Sequence, residues 1–450
     1  MSNSNLTHTA SAGNQKTWTF SCWFRISHSD GIEYLISQGS AGNQFVGIYL
    51  GNEGSPTGGG TLRFYNENSG SQSLYFQTNR ILSDNSNWYH VVVQCDTTQS
   101  TESERVKIWI NGVQETSFAS SSYPAQDSTT NMNVNSSVQR IGVYNASGSS
   151  ANHYFDGYMS HVALVDGAVV APTSFGSTDS TSGIWKFKPP SGITWGTNGF
   201  HLKFENSGNL GLDSSGQGNN FTVNGNLKQS VSTPTNTLTT LMNEPSRTIS
   251  GTVYRGTLSD AGTKFDGTGV TSGSVAAVSN YAVNKGKWYA EFKLSQAGQD
   301  YARLGVATLD GYNQTSWLGN ADPGNIALYQ GNDGAKYVGS TSSSYGATYN
   351  VNDIIGIAMD LDNNTITFYK NGTSQGAISI ADTDTYKHFH VNAYDGTGSD
   401  ITKWECNFGE GRFGTTAISS AGSNGNGYLF EYDVPANHYA LSTKNINTYG

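Results

Sequence analysis

Two stretches far apart in the chain end in the same way. Ile354 to Gly372 reads IIGIAMDLDNNTITFYKNG, and Val106 to Gly112 reads VKIWING. In the first, Ile355, Ile357, Met359 and Leu361 recur at period two, which puts them on one face of a strand. Asp362-Asn363-Asn364 is turn chemistry: short polar side chains that bond their own backbone and tolerate left-handed conformations. Ile366 and Phe368 then alternate with Thr367 and Tyr369 as the chain returns. Asn-Gly closes both stretches, and this dipeptide fits a tight hairpin turn best. A chain built on such units folds as antiparallel strands.

The same alternation recurs along the first half. TWTFSCWFRIS (17–27) puts Trp18, Phe20, Cys22, Phe24 and Ile26 on one face and Trp23 and Arg25 on the other. GIEYLISQG, FVGIYLG, TLRFYN, SLYFQT, WYHVVVQCD, QRIGVYN and YFDGYMSHVALVDGAVV read as further strands, bounded by Gly, Ser or Asn. Helical periodicity is nearly absent, with at most a short turn after Pro172. Aromatic residues make up 12% of the 450, too many for a disordered chain, so the Gly/Ser/Asn richness belongs to turns. The length allows two or three domains. Residues 227–250 lack sustained alternation and read as a polar connector between a first domain, 1–226, and a second, 251–450. The expected fold class is all-β, two jelly-roll β-sandwiches joined by that connector.

Several function classes lose their support. The net charge is −10, and both halves are mildly acidic: residues 1–226 hold 10 basic and 15 acidic side chains, the remainder 14 and 19. Nucleic-acid binding then lacks its electrostatic drive. No apolar run approaches a membrane span, and MSNSNLTHTA has neither the basic start nor the apolar core of a secretory signal. Cys22, Cys95 and Cys406 show no metal spacing; Cys22 and Cys95 read as buried, reduced thiols, with a disulfide between them as the alternative if their strands are neighbours. A glycosidase needs two carboxylates across a sugar. Glu102 and Glu104 alternate correctly but sit in a polar turn without aromatics. Asp360-x-Asp362-x-Asn364 begins like an EF-hand loop, yet Thr365 and Asn371 stand where Gly and Glu are required. The nine histidines are dispersed, and no P-loop is present. Trp23 and Trp109 stand out as rings on the non-core face of their strands, where they could stack on sugars or pack under loops.

The order WTFSCWFRI … WYHVVVQCD … VKIWINGVQ … RIGVY … FDGYMSHVALVDGAV resembles the laminin-G/pentraxin-like branch of the concanavalin A-like jelly rolls. HLKFENSGNLGLDSSGQGNNFTVNG (201–225) resembles the opening segment of such domains but stands at the end, which implies a permuted order closed by residues 200–225. GKWYAEF, RLGVA, DIIGIAMD, TFYKNG and NFG, spanning about 285–413, resemble the SPRY (B30.2-like) domain. Residues 6–245 resemble segments of structural proteins of tailed bacteriophages. The first resemblance offers a structural calcium, with Asp156 and Asp213 as the candidate ligands, against the reading of these stretches as Asx-type turns; no cofactor is otherwise expected. Together the resemblances imply a non-enzymatic protein of the virion surface, a capsid decoration, head fibre or tail fibre assembled in the host cytoplasm. Its expected partners are other virion proteins, a host-surface glycan or protein, and further copies of itself, with no nucleic acid and no membrane insertion. The alternatives are a polysaccharide-binding module or glycoside-active enzyme, and a purely structural component without ligand.

Overall fold

The computed structural model describes residues 4–26, 31–40, 44–51, 60–144, 151–243, 247–249, 252–254, 256–267, 273–297, 302–309, 325–381, 384–395, 402–411, 413 and 427–450. The chain divides into two compact units, Met1–Ser230 and Val231–Gly450.

In the first unit the strands are β1 (Asn5–Thr9), β2 (Thr17–Ile26), β3 (Glu33–Ser40), β4 (Gln44–Gly51), β5 (Gly60–Asn68), β6 (Ser71–Leu82), β7 (Tyr89–Asp96), β8 (Val106–Ile110), β9 (Val113–Gln114), β10 (Phe118–Ser122), β11 (Val138–Ile141), β12 (Gly157–Asp166), β13 (Gly176–Thr178), β14 (Trp185–Phe187), β15 (Phe200–Leu202) and β16 (Thr222–Asn224). An eight-stranded sheet runs β10-β6-β5-β4-β3-β11-β1-β16, and a six-stranded sheet runs β15-β12-β2-β7-β8-β9. Residues 200–225 thus add an edge strand to each sheet. The alternation of β2 places Trp18, Phe20, Cys22, Phe24 and Ile26 in the core, against Val46, Ile48, Leu62, Phe64 and Phe76 of the other sheet. Cys22 and Cys95 are buried and free. Cys95 pairs in register with Trp18, four residues from Cys22, which puts the two thiols far beyond disulfide reach.

The Asn-Gly turns share more than a dipeptide. Asn111 (φ 49°) and Gly112 (φ 76°) join β8 to β9, while Asn371 (φ 46°) and Gly372 (φ 79°) join Thr365–Lys370 to Thr373–Ser379. Positive φ at both positions defines a type I′ turn, whose twist matches that of the strands. In both, the asparagine also pairs with the neighbouring strand. Asn111 N donates to His90 O and accepts from His90 N through Oδ1, both at 2.8 Å. Asn371 does the same with Ile354, at 2.8 and 2.9 Å. The side-chain carbonyl extends the ladder by one rung after the backbone has turned away.

In the second unit a seven-stranded and an eight-stranded sheet enclose a core that includes Trp288, Phe292, Ile355, Ile357, Phe368, Phe389 and Trp404. The hairpin 354–370 pairs Asp360 with Thr365 and Ile355 with Lys370. Its turn is held by Asp360, whose carboxylate accepts from Asn363 N at 3.0 Å and from Asn363 Nδ2 at 2.9 Å.

Part of the expected connector, 227–250, is instead built into this unit. Leu238 and Leu241 are buried, and Leu241–Asn243 is a strand of the seven-stranded sheet. Thr239 N donates to Leu441 O at 2.9 Å, so a segment without alternation is ordered by chain 200 residues away. A seven-residue helix, Thr443–Tyr449, also escaped the periodicity; Ser442 caps it by accepting from Asn445 N at 3.2 Å.

Over the outer face of the eight-stranded sheet, Glu291 ties down the C-terminal segment. Its carboxylate accepts from Glu431 N (2.8 Å), Tyr432 N (2.9 Å), Asn407 Nδ2 (3.0 Å) and Tyr289 Oη (3.3 Å). Asn407, of the Asn-Phe-Gly stretch, accepts through Oδ1 from the backbone N–H groups of Gly409, Glu410 and Gly411. Burial pushes the Glu291 carboxyl up to about 7, against the downward pull of those four hydrogen bonds.

Two outcomes are expected. A group whose pKa rises on folding contributes stability below its unfolded value, near 4.5, and loses that contribution as pH climbs through about 7. The denaturation midpoint of the second unit should therefore fall between pH 5 and 8, and Glu291→Gln should flatten that slope. Asn371→Ala leaves Ile354 N–H without its acceptor and should cost about 1–2 kcal/mol in chemical denaturation.

Candidate ligand-binding face

The outer faces of the two sheets of the first unit differ. On the six-stranded sheet, Trp23 and Trp109 do point away from the core, but Trp23 is only 2% exposed. Residues 168–187 cross over it. Trp23 Nε1 donates to Phe175 O at 3.4 Å, its ring stacks on His90 at 4.6 Å, and Phe187 meets it edge-on at 6.2 Å. Sugar stacking on Trp23 is excluded in this arrangement, because both sides of the ring are occupied by protein. Trp109 is half-buried and donates to Gln94 Oε1 at 3.1 Å, and Gln94 in turn donates to Val170 O at 2.7 Å. Trp109 is thereby part of the same covering.

Around Asp213 the carboxylate is engaged by a turn. Asp213 Oδ1 accepts from His201 N (2.9 Å) and Ser215 N (2.8 Å), and Oδ2 from Ser215 Oγ (2.8 Å) and Asn219 N (3.0 Å). Four donors aim hydrogens at the carboxylate, so a cation there would face their positive ends; the residues do not fit calcium. Asp213 bridges β15, which pairs with the far part of β12, whereas Asp156 precedes the start of β12. Among the described residues no three His, Cys, Asp or Glu side chains are grouped to hold a metal.

The outer face of the eight-stranded sheet is different. Strand pairing lines up Tyr34, Tyr49, Arg63 and Gln77 in one cross-strand row, and Arg140, Ser37, Gly47, Tyr65 and Tyr75 in the next. Tyr34 stacks on Tyr49 (4.6 Å, 19°), Tyr144 packs against Tyr34 (5.1 Å) and Phe45 (5.0 Å), and Tyr65 meets Tyr75 edge-on at 6.3 Å. Two glycines make room for side chains of this face. A Cβ on Gly47 would stand 2.6 Å from the Tyr34 ring, and one on Gly51 2.7 Å from the Arg63 guanidinium. Tyr34, Phe45 and Tyr49 form the buried floor, while Tyr65, Tyr75 and Tyr144 are half-buried at its margin.

The polar groups of the face are held in place. Tyr65 Oη donates to Glu67 Oε2 at 2.6 Å, Tyr75 Oη to Gln77 Oε1 at 3.1 Å, and Gln77 Nε2 to Thr61 Oγ1 at 3.3 Å. Burial pushes the Tyr34, Tyr65 and Tyr144 phenols above their ordinary value, so they stay protonated at neutral pH. Rigid rings flanked by hydroxyl, amide and carboxylate groups suit a ligand with apolar C–H faces and a polar rim.

Sequence reasoning missed this face, although a signal was present. In TLRFYN and SLYFQT two aromatics are adjacent, Phe64-Tyr65 and Tyr75-Phe76. Period two forces one ring of each pair outward.

Each unit is thus a β-sandwich whose sheets are hydrogen-bonded largely between antiparallel neighbours. A family model for the Concanavalin A-like lectin/glucanases superfamily, of laminin G type, matches residues 1–173, and a SPRY domain model matches residues 287–389. The chain carries a concanavalin A-like domain followed by a SPRY domain. Ran-binding protein 9 of Xenopus tropicalis is 32% identical over 154 residues, 33% of this chain and 27% of that protein. The chain therefore spans about a quarter of that relative's length. Among solved structures, the SPRY domain of human HERC1 is 17% identical over 32% of this chain and 87% of its own, with a TM-score of 0.28. The heptameric SAP-like pentraxin of Limulus polyphemus is 14% identical over 43% and 82%, with a TM-score of 0.30.

Gly47→Val should lift the Tyr34 ring off the sheet, which near-ultraviolet circular dichroism will register as a lost tyrosine signal. The far-ultraviolet spectrum should stay that of the native sandwich.

Proposed function

We propose that this chain is a non-enzymatic binding protein of a tailed-bacteriophage particle, whose first domain holds a host-surface glycan on its tyrosine face. The observation that carries the reading is the cluster of Tyr34, Tyr49, Tyr65 and Tyr75, with Tyr34 packed over Gly47 and hydrogen-bonding side chains at its margin. A pyranose offers the matching surface, with C–H groups for the rings and hydroxyls for Gln77, Glu67 and the phenols. The placement on a virion rests on the resemblance of residues 6–245 to phage structural proteins. On that reading the SPRY domain docks on protein, either a neighbouring virion component or a host surface protein. A particle displaying many copies turns weak single-site binding into attachment through avidity.

Glycan-array binding of the full chain tests this. Tyr65→Ala and Tyr75→Ala should each weaken the strongest glycan about 3- to 10-fold, the range expected for loss of one aromatic contact. A chain that binds no glycan but saturates a capsid shell would establish the purely structural role instead, and release of new reducing ends from a polysaccharide would establish an enzyme.

A further inference from the structure

The covering on the six-stranded sheet is a single loop with a closed base. The chain leaves β12 at Asp166 and re-enters the sheet at Phe200. Asp166 N donates to Trp195 O at 2.8 Å, and Asp166 Oδ2 accepts from Asn198 N at 3.0 Å. The body between, residues 169–194, contains the β13–β14 hairpin.

Three aromatic rings of residues 185–195 pack against three imidazoles of the sheet. Trp185 lies beside His90 with its ring near-parallel (6.0 Å, 14°), Phe187 stacks on His161 (3.9 Å, 23°) and Trp195 on His201 (5.7 Å, 14°). Hydrogen bonding fixes the proton on the first. Trp185 Nε1–H, which can only donate, points at His90 Nδ1 at 3.0 Å. That nitrogen must carry a lone pair, and the proton resides on Nε2, which faces Ser21 Oγ at 2.9 Å. A second proton on His90 would set N–H against N–H. His161 Nδ1 and His201 Nε2 face each other at 3.0 Å, so one of these two nitrogens must also carry a lone pair. His161 is further held at φ 49°, where β12 shifts register against β2.

Few charges offset a proton here. Among the described residues, Ser21 and Trp23 of β2, Asn111 of the β8–β9 turn, and Phe175 and Trp185 of the loop stand around His90, all uncharged. Beside His161 and His201, Lys203 opposes protonation of both, while Asp213 favours it on His201.

We propose that residues 169–194 are an acid-operated cover: protonation of His90 and His161 lifts the Trp185–Phe187 strand off the sheet and exposes the Trp23 and Trp109 face, while the base at Asp166 and the sandwich stay closed. Burial supports the direction. It pushes His90 and His161 down to about 3 and His201 to about 4. A histidine neutral in the closed form and free in the open form favours closure above about 6.5 and loses that preference as pH falls. At pH 5 each released histidine shifts the balance toward the open form about 30-fold.

Hydrogen exchange of the full chain at pH 7.5 and 5.0, corrected for intrinsic rates, tests this independently of glycan binding. Amides of 176–187 should lose at least about 30-fold protection at pH 5 while β2 and β7 keep theirs. His90→Gln, which cannot take up the proton, should shrink that loss. Should His90→Gln fail to fold, Trp185→Phe, which lacks the N–H donor, should shrink it likewise. Unchanged protection of 176–187 at pH 5, loss of β2 and β7 in step with it, or an undiminished acid effect in the folded variants would overturn the proposal.

Discussion

Strand β2 is buried on both of its faces, and the rest of the first domain follows from this. One face supplies Trp18, Phe20, Cys22, Phe24 and Ile26 to the core. The other presents Thr19, Ser21, Trp23 and Arg25, of which the first three are polar donors or acceptors held by the cover or by His90. Thr19 Oγ1 donates to Ala168 O at 3.0 Å and accepts from Val170 N at 2.9 Å; Arg25 Nε donates to Asn85 O at 2.8 Å. Each such group left unpaired in a dry interior would cost about 1–3 kcal/mol. The loop after β12 is therefore a structural lid as well as a connection, and it removes the six-stranded sheet from ligand contact while it is closed.

The eight-stranded sheet solves its outer face differently. It has aromatic rings of its own there, packed on one another and over Gly47, with Tyr144 and His153 of the β11–β12 connection against Tyr34. That leaves a rigid layer with half-buried tyrosines at its margin. The two outer faces thus contrast in chemistry: imidazoles beneath indoles and a phenyl ring on one, phenols and fixed polar side chains on the other. Only the second presents ring edges and hydroxyls without any rearrangement.

Period two was enough to read the core side of nearly every long strand, and Asn-Gly was enough to read both I′ turns. What alternation leaves open is the fate of an outward ring. Trp23 and Tyr65 are equivalent by pattern, yet Trp23 lies beneath residues 150 positions later and Tyr65 does not. Covering segments carry no period of their own, since they satisfy a sheet already formed. This is why the stretch after Pro172 offered no more than a short turn and why 227–250 read as a connector. The oxygen-rich stretch after Asp213 carried two readings for a related reason: the same side chains that ligate calcium also build turns, and only the direction of the surrounding N–H groups separates the two.

The VKIWING turn takes on a second meaning from the geometry. Asn111 pairs with both backbone groups of His90, which fixes the residue that accepts from Trp185. Gly112 lies under the Trp185 ring, where any Cβ would collide with it. One dipeptide therefore positions both partners of the indole–imidazole contact. In the second domain the same Asn-Gly geometry has Tyr432 over Gly372, at 2.7 Å from a notional Cβ, and Tyr432 N is one of the donors to Glu291. In both domains the glycine of the hairpin turn gives room for an aromatic ring from the segment that covers the sheet, and that segment is bonded to a buried ionisable side chain. The turn needs Gly for its backbone, and the missing side chain is what lets a covering segment dock beside it.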